Sequence, residues 1–210
     1  MKQGILFDLD GTLWDATHQI VPAWNEALAS LGWPERITHP QLCACMGKTK
    51  PEITAIIFPN RTLPERERAW EVLISFEERA LRRTGGTLYP GLRETLSGLK
   101  KRYALGIVSN CQRGYIPTFL DAHGLWELFD DYEEQGRSGL DKAANIRLVS
   151  ERLGLERVLY LGDTEGDRLA AEGAGVPFLW ATWGFGKPEA PAAAIFSLPE
   201  LPEAAQKLLG

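Results

Sequence analysis

From Tyr103 onward short apolar runs alternate with segments of helical period, and that alternation leaves the chain very few folds. Strands are predicted at Ala104 to Val108, around Tyr132, at Val158 to Leu161 and at Val176 to Trp180. Helices are predicted between them, at about Gly114 to His123, Lys142 to Leu153 and Asp167 to Gly173. Strands joined through helices pair in parallel, since an antiparallel pair needs only a short turn. The pattern therefore specifies an α/β, Rossmann-like core, a mostly parallel sheet with helices on both faces. A further apolar run, Gly4-Ile5-Leu6-Phe7, joins that sheet from the start of the chain.

Between that first strand and the alternating region the pattern is helical. Ile20, Val21, Trp24, Ala27, Leu28 and Leu31 recur at helical spacing until Gly32 and Pro34 stop them. Further helices are predicted at Pro40 to Met46, Pro51 to Ile57 and Pro64 to Arg83, each with proline in its first turn. Gly85-Gly86 makes a joint, and Tyr89-Pro90-Gly91 leads into a helix over Leu92 to Lys101. The expected organisation is a core of residues 1–15 and 86–210, with a small all-α cap, 16–85, inserted after the first strand. Pro188 to Ala194 reads as a surface turn into the last helix.

Composition narrows the function. With 210 residues, 44% of them hydrophobic, the chain can bury a substantial core. A formal net charge of -5 offers no basic stripe for a nucleic acid polymer, though a small phosphorylated metabolite stays compatible if local cations gather. The cysteines Cys43, Cys45 and Cys111 form neither a paired zinc spacing nor an even disulfide set. The N-terminal apolar run is too short for a signal segment or a membrane span, so a soluble, cytoplasmic protein is expected.

Chemistry-bearing residues cluster where predicted strands end. Asp8 and Asp10 follow the first strand, and Gly11 supplies a tight turn that keeps both at its carboxyl edge, where open α/β sheets collect ligands. Ser109-Asn110 follows the strand Ala104 to Val108 and offers hydroxyl and amide donors to a phosphoryl oxygen. Gly162-Asp163-Thr164-Glu165-Gly166-Asp167 sets further carboxylates beyond Val158 to Leu161, hard oxygen ligands of the kind magnesium takes. A neutralising cation is available from Lys142, Arg137 or Lys187.

Asp8-Leu9-Asp10-Gly11-Thr12 resembles the first motif of the haloacid dehalogenase (HAD) superfamily in its phosphatase branch, and the other three clusters resemble its later motifs in the right order. The resemblance implies a Mg²⁺-dependent phosphatase in which Asp8 attacks phosphorus and Asp10 is the acid and base. Ser109 would bind the phosphoryl group, and Lys142, with Arg137 as alternative, would be the third-motif cation. Asp8, Asp10, Asp163 and Asp167 would hold the metal, with Gly11, Thr12, Asn110, Gly47 and Lys48 on phosphate or substrate. The third motif departs from the family in lacking a Lys-Pro pair, since Ala143 follows Lys142.

Within that superfamily Asp10 argues against dehalogenase and phosphonate-hydrolase branches, which replace the second aspartate. A phosphomutase of the β-phosphoglucomutase type shares all four motifs, and a non-catalytic binding module is the alternative of another class. Substrate choice is expected in the inserted loop Met46-Gly47-Lys48-Thr49-Lys50, and Trp183-Gly184-Phe185-Gly186 resembles a loop of phosphoglycolate phosphatase-like members.

Overall fold

The computed structural model describes residues 2–191 and 193–210. In chain order the elements are β1 (Gln3–Phe7), β2 (Trp14–Asp15), α1 (Thr17–Ser30), α2 (His39–Cys43), α3 (Lys50–Ile57), α4 (Leu63–Thr84), β3 (Thr87–Leu88) and α5 (Leu92–Leu99). They continue with β4 (Ala104–Ser109), α6 (Tyr115–His123), β5 (Asp131–Glu134), α7 (Gln135–Ser138), α8 (Lys142–Arg152), β6 (Arg157–Gly162), α9 (Glu165–Ala174), β7 (Phe178–Ala181), β8 (Ala194–Ile195) and α10 (Leu201–Leu209).

Six strands form one sheet in the order β5-β4-β1-β6-β7-β8, and every adjacent pair runs parallel. Its central strands are apolar on both faces, as a sheet covered on both sides requires: Ile5, Leu6 and Phe7 are fully buried, as are Leu105, Ile107, Leu159 and Leu161. β1 lies between β4 and β6, with Phe7 level with Ile107 on one side and Leu161 on the other. β1 connects toward β4 and its neighbour β6 toward β7, in opposite directions, which opens a crevice between them at the carboxyl edge. Asp8, Ser109 and Asp163 all sit at that edge.

The helices between β2 and β3 are set by local sequence. Thr38, Thr49 and Thr62 each precede a helix with proline near its start and Gln41, Glu52 or Glu65 at its third position. Those side chains reach back to the backbone N–H of the threonine at 2.9, 2.8 and 2.8 Å, satisfying donors that the first turn leaves free. α4 then lays Ala69, Trp70, Leu73, Glu77 and Leu81 inward, and Trp70 meets Trp24 of α1 edge to face at 5.9 Å. One large apolar cluster contains both sheet residues such as Ile5 and Phe7 and insertion residues such as Trp24, Leu42 and Leu73.

Three features depart from the sequence expectation. β2 and β3 form a two-residue antiparallel ribbon, Trp14 with Leu88 and Asp15 with Thr87, at the root of the inserted helices. Strands this short carry no periodicity to read. Gly86 of the expected joint passes under Trp14, where a Cβ would lie 2.6 Å from the indole. Lastly, the expected turn from Pro188 to Ala194 ends in the edge strand β8; Ala192 of that stretch lies outside the described residues. Among the described residues no helix is long and apolar enough to cross a membrane.

Candidate active site

Asp8 is fixed by strand β6 and by helix α8. Its backbone N–H donates to the Leu161 carbonyl at 2.8 Å, and its carboxylate accepts from Lys142 Nζ at 2.9 Å. Lys142, in the first turn of α8, also donates to Asp167 Oδ1 at 2.6 Å. All three side chains are essentially buried, at 1%, 5% and 0% exposure. Burial alone would lower the lysine, but the Asp167 and Asp8 carboxylates hold it well above the ordinary lysine range. Arg137, the alternative cation, instead pairs with Glu133 at 2.7 Å, and Lys187 is exposed.

Asp163 and Asp167 are built by the β6–α9 turn. Thr164 caps α9, its hydroxyl and N–H donating to Asp167 Oδ2 at 2.7 and 2.9 Å, which holds that carboxylate against Asp163 and Lys142. Asp163 accepts from the Phe185 N–H at 2.7 Å and from the Thr12 hydroxyl at 3.2 Å. Carboxylate oxygens of Asp8, Asp163 and Asp167 lie within 4.8 Å of one another. Burial, with Asp167 adding repulsion, pushes Asp8 up to about 6 against the pull of Lys142, and the same two causes drive Asp163 well up. Three buried carboxylates against one ammonium are short of positive charge, and their all-oxygen donor set fits a hard divalent cation.

Asp10 has different surroundings. It turns back over Gly11, whose φ of 83° and N–H bond to the Trp14 carbonyl at 2.9 Å tighten the loop. The Tyr115 hydroxyl donates to Asp10 Oδ1 at 2.9 Å. Burial and the Asp8 charge push this carboxyl up to about 7. Two aspartates two residues apart are thus held differently, one by an ammonium and one by a phenol.

Asp8, Asp10, Ser109, Asn110, Gly47 and Lys48 line a single cavity of about 240 Å³ between the sheet edge and the inserted helices. The Asn110 amide donates to the Gly47 carbonyl at 2.9 Å, tying the β4 loop to the loop after α2, while its buried Oδ1 has no partner among the described residues. Gly11 and Thr12, expected on the substrate, are outside that lining and stand behind Asp163. The turn points the Thr12 hydroxyl at that carboxylate, and a Cβ on Gly11 would come within 2.4 Å of it. Both pack against Asp163.

Sequence reading also missed Trp24, Trp70, Glu77, Gln112 and Tyr115 in the wall. No motif marks them, because they reach the cavity from α1, α4, the β4–α6 loop and the start of α6 through tertiary packing. The Trp183–Gly186 loop was singled out, and its reason is now visible. A Cβ at Gly184 would fall 2.2 Å from Asp163 Cβ, so backbone passes where a side chain cannot.

Residues 5–181 match the family model of haloacid dehalogenase-like hydrolases. A phosphoglycolate phosphatase of Cereibacter sphaeroides is 31% identical over 98% of this chain and 99% of its own. One from Vibrio cholerae is 28% identical over 86% and 84%. Among solved structures, one described as a predicted phosphoglycolate phosphatase from Haemophilus somnus superposes with a TM-score of 0.85, covering 98% of both chains at 24% identity, which speaks to the fold alone. The family model spans both the Asp8 turn and the Asp163 turn, and the curated relatives align across nearly the whole chain, so this chain belongs to the haloacid dehalogenase-like hydrolases and is a phosphatase, a phosphoric monoester hydrolase similar to phosphoglycolate phosphatases.

Proposed function

We propose that the enzyme hydrolyses a small phosphomonoester metabolite, of the phosphoglycolate, sugar phosphate or nucleotide class, through an aspartyl-phosphate on Asp8 with Mg²⁺ as cofactor. The observation that carries this reading is the division of labour between Asp8 and Asp10. Asp8 lies against Lys142 at 2.9 Å, which favours the ionised form a nucleophile needs. Asp10, pushed up to about 7, keeps a proton near neutral pH and faces the same cavity.

In the first half-reaction an oxygen of Asp8 bonds to phosphorus while the phosphorus–oxygen ester bond breaks. Asp10 gives its proton to the departing alkoxide. In the second, Asp10 takes a proton from water, whose oxygen attacks phosphorus and releases Asp8 and inorganic phosphate. Lys142 and Ser109 hold the phosphoryl oxygens, and Asn110 Oδ1, without a partner among the described residues, is free to accept from a substrate hydroxyl. Asp8, Asp163 and Asp167, with the Asp10 backbone carbonyl, would hold Mg²⁺, which when bound screens the repulsion between carboxylate and phosphate. Residues 16–85 act as the cap and 1–15 with 86–210 as the core, so that Gly47 and Lys48 meet the leaving group from above. The enzyme acts in the cytoplasm, and the formal net charge of -5 agrees with small metabolites rather than a nucleic acid polymer as its substrates.

The test is phosphate release from a panel of phosphorylated metabolites with and without Mg²⁺. Metal-dependent release that Asp8→Asn and Asp10→Asn both abolish is expected. Undiminished turnover in either variant refutes its assignment, and turnover seen only with a sugar bisphosphate activator would replace the hydrolase with the mutase.

A further inference from the structure

The root of the inserted helices carries a second group of donors, separate from the Asp8–Asp163–Asp167 cluster. Asp15 of the β2–β3 ribbon, His18 in the first turn of α1 and His39 at the start of α2 each place a ligand atom within 4.8 Å of the others. Two of the protein's three histidines are in this one spot. Their rings stack with centroids 4.4 Å apart and planes 21° from parallel.

A threonine fixes the proton arrangement. The Thr17 hydroxyl donates to Asp15 Oδ1 at 2.5 Å, so its contact with His39 Nε2 at 2.8 Å must be one in which the ring donates. His39 is thereby set as the tautomer with its lone pair on Nδ1, and that atom lies 3.6 Å from Cys43 Sγ. Metal-bound histidines are oriented in this way, one ring nitrogen donating a hydrogen bond and the other keeping its lone pair, here beside the Cys43 thiol. Asp15 and His39 are half-buried, while His18 is exposed and can swing. Donors of a tetrahedral ion with bonds of about 2.0–2.1 Å stand roughly 3.4 Å apart, inside the 4.8 Å limit, and the exposed His18 ring can turn toward the other two.

We propose that Asp15, His18 and His39 form a second metal site, selective for a borderline transition-metal ion of the zinc class. Imidazole nitrogens with one carboxylate and a thiol alongside suit Zn²⁺, Co²⁺ or Ni²⁺, whereas the Asp8–Asp163–Asp167 cluster is all oxygen and suits Mg²⁺. The two sites are thus separated by donor chemistry as well as by place. Because the three ligands come from the ribbon and from two different helices, an ion there ties the base of the insertion to its hinge.

The test is a Co²⁺ titration followed by visible absorption, with Mg²⁺ in large excess to fill the carboxylate cluster. Wild-type protein should take up one equivalent with the ligand-field bands of nitrogen-ligated cobalt, reversed by Zn²⁺. His18→Gln and His39→Gln should each weaken that uptake by about tenfold or more. His18 is exposed, so H18Q should fold and keep its phosphatase activity in the absence of transition metal, which separates loss of the site from loss of the protein. No uptake by the wild type, or equal uptake by wild type and both variants, overturns the proposal.

Discussion

Glu77→Gln tests the electrostatics of the cavity without touching a reacting group. Glu77 is 2% exposed on α4 and accepts from Trp24 Nε1 at 2.7 Å and from the Gln112 amide at 2.5 Å. Burial outweighs both donors, and with Asp10 nearby the carboxyl is pushed from 4.5 up to about 8. The folded protein therefore holds a proton between those limits that the unfolded chain releases. Stability must fall as pH rises through that window and level off above it. The full difference, 3.5 units between 4.5 and about 8, is on the order of 5 kcal/mol at about 1.4 kcal/mol per unit. A glutamine cannot ionise; it can accept from Trp24 and, with the Gln112 amide flipped, donate to its oxygen. Urea unfolding of both proteins at about pH 5 and about pH 9 should show the gap moving by about 4 kcal/mol in favour of Gln. A gap that stays constant across that range would mean that Glu77 is ionised in the folded protein, and the argument from burial would fail.

Other perturbations probe the proposed site. Lys142→Met strands Asp8 and Asp167 without their shared ammonium, and metal-free protein should lose about 3–5 kcal/mol by urea unfolding; an unchanged midpoint would show that the triad is not a buried ion pair. Tyr115→Phe removes the hydrogen bond to Asp10, and a loss of about 1.4 kcal/mol should lower kcat roughly tenfold with KM little altered. A wild-type kcat would leave the phenol no positioning role. Gly184→Ala drives a Cβ against Asp163, so half-saturating Mg²⁺ should rise while the far-ultraviolet circular dichroism stays native; unchanged Mg²⁺ dependence would place Asp163 outside the metal site.

Much of this enzyme was legible before any coordinates. The βα alternation from Tyr103 dictated the parallel sheet, because only crossover helices can return the chain to the same edge. The position of Asp8, Ser109 and Asp163 at strand ends followed from that sheet, since every parallel strand finishes at the same side. Helix starts at Pro40, Pro51 and Pro64 were readable because capping is a matter of a few adjacent residues. Lys142 is preferred over Arg137 on sequence by its place at the start of a helix; the contacts that separate them, an ammonium between Asp8 and Asp167 and a guanidinium beside Glu133, appear only on folding.

What sequence alone determined, then, is whatever rests on local period, local capping and short motifs: the fold class, the helical insertion and the acidic turns. Tertiary structure decided which distant side chains face one another. Tyr115 reaches Asp10 across 105 positions, Thr12 reaches Asp163 across 151, and Asp15 meets His39 through a helix and a loop. A hydrogen bond or a shared burial depends on separation in space, and no pattern of neighbours along the chain encodes that separation until the sheet and the inserted helices have closed on each other.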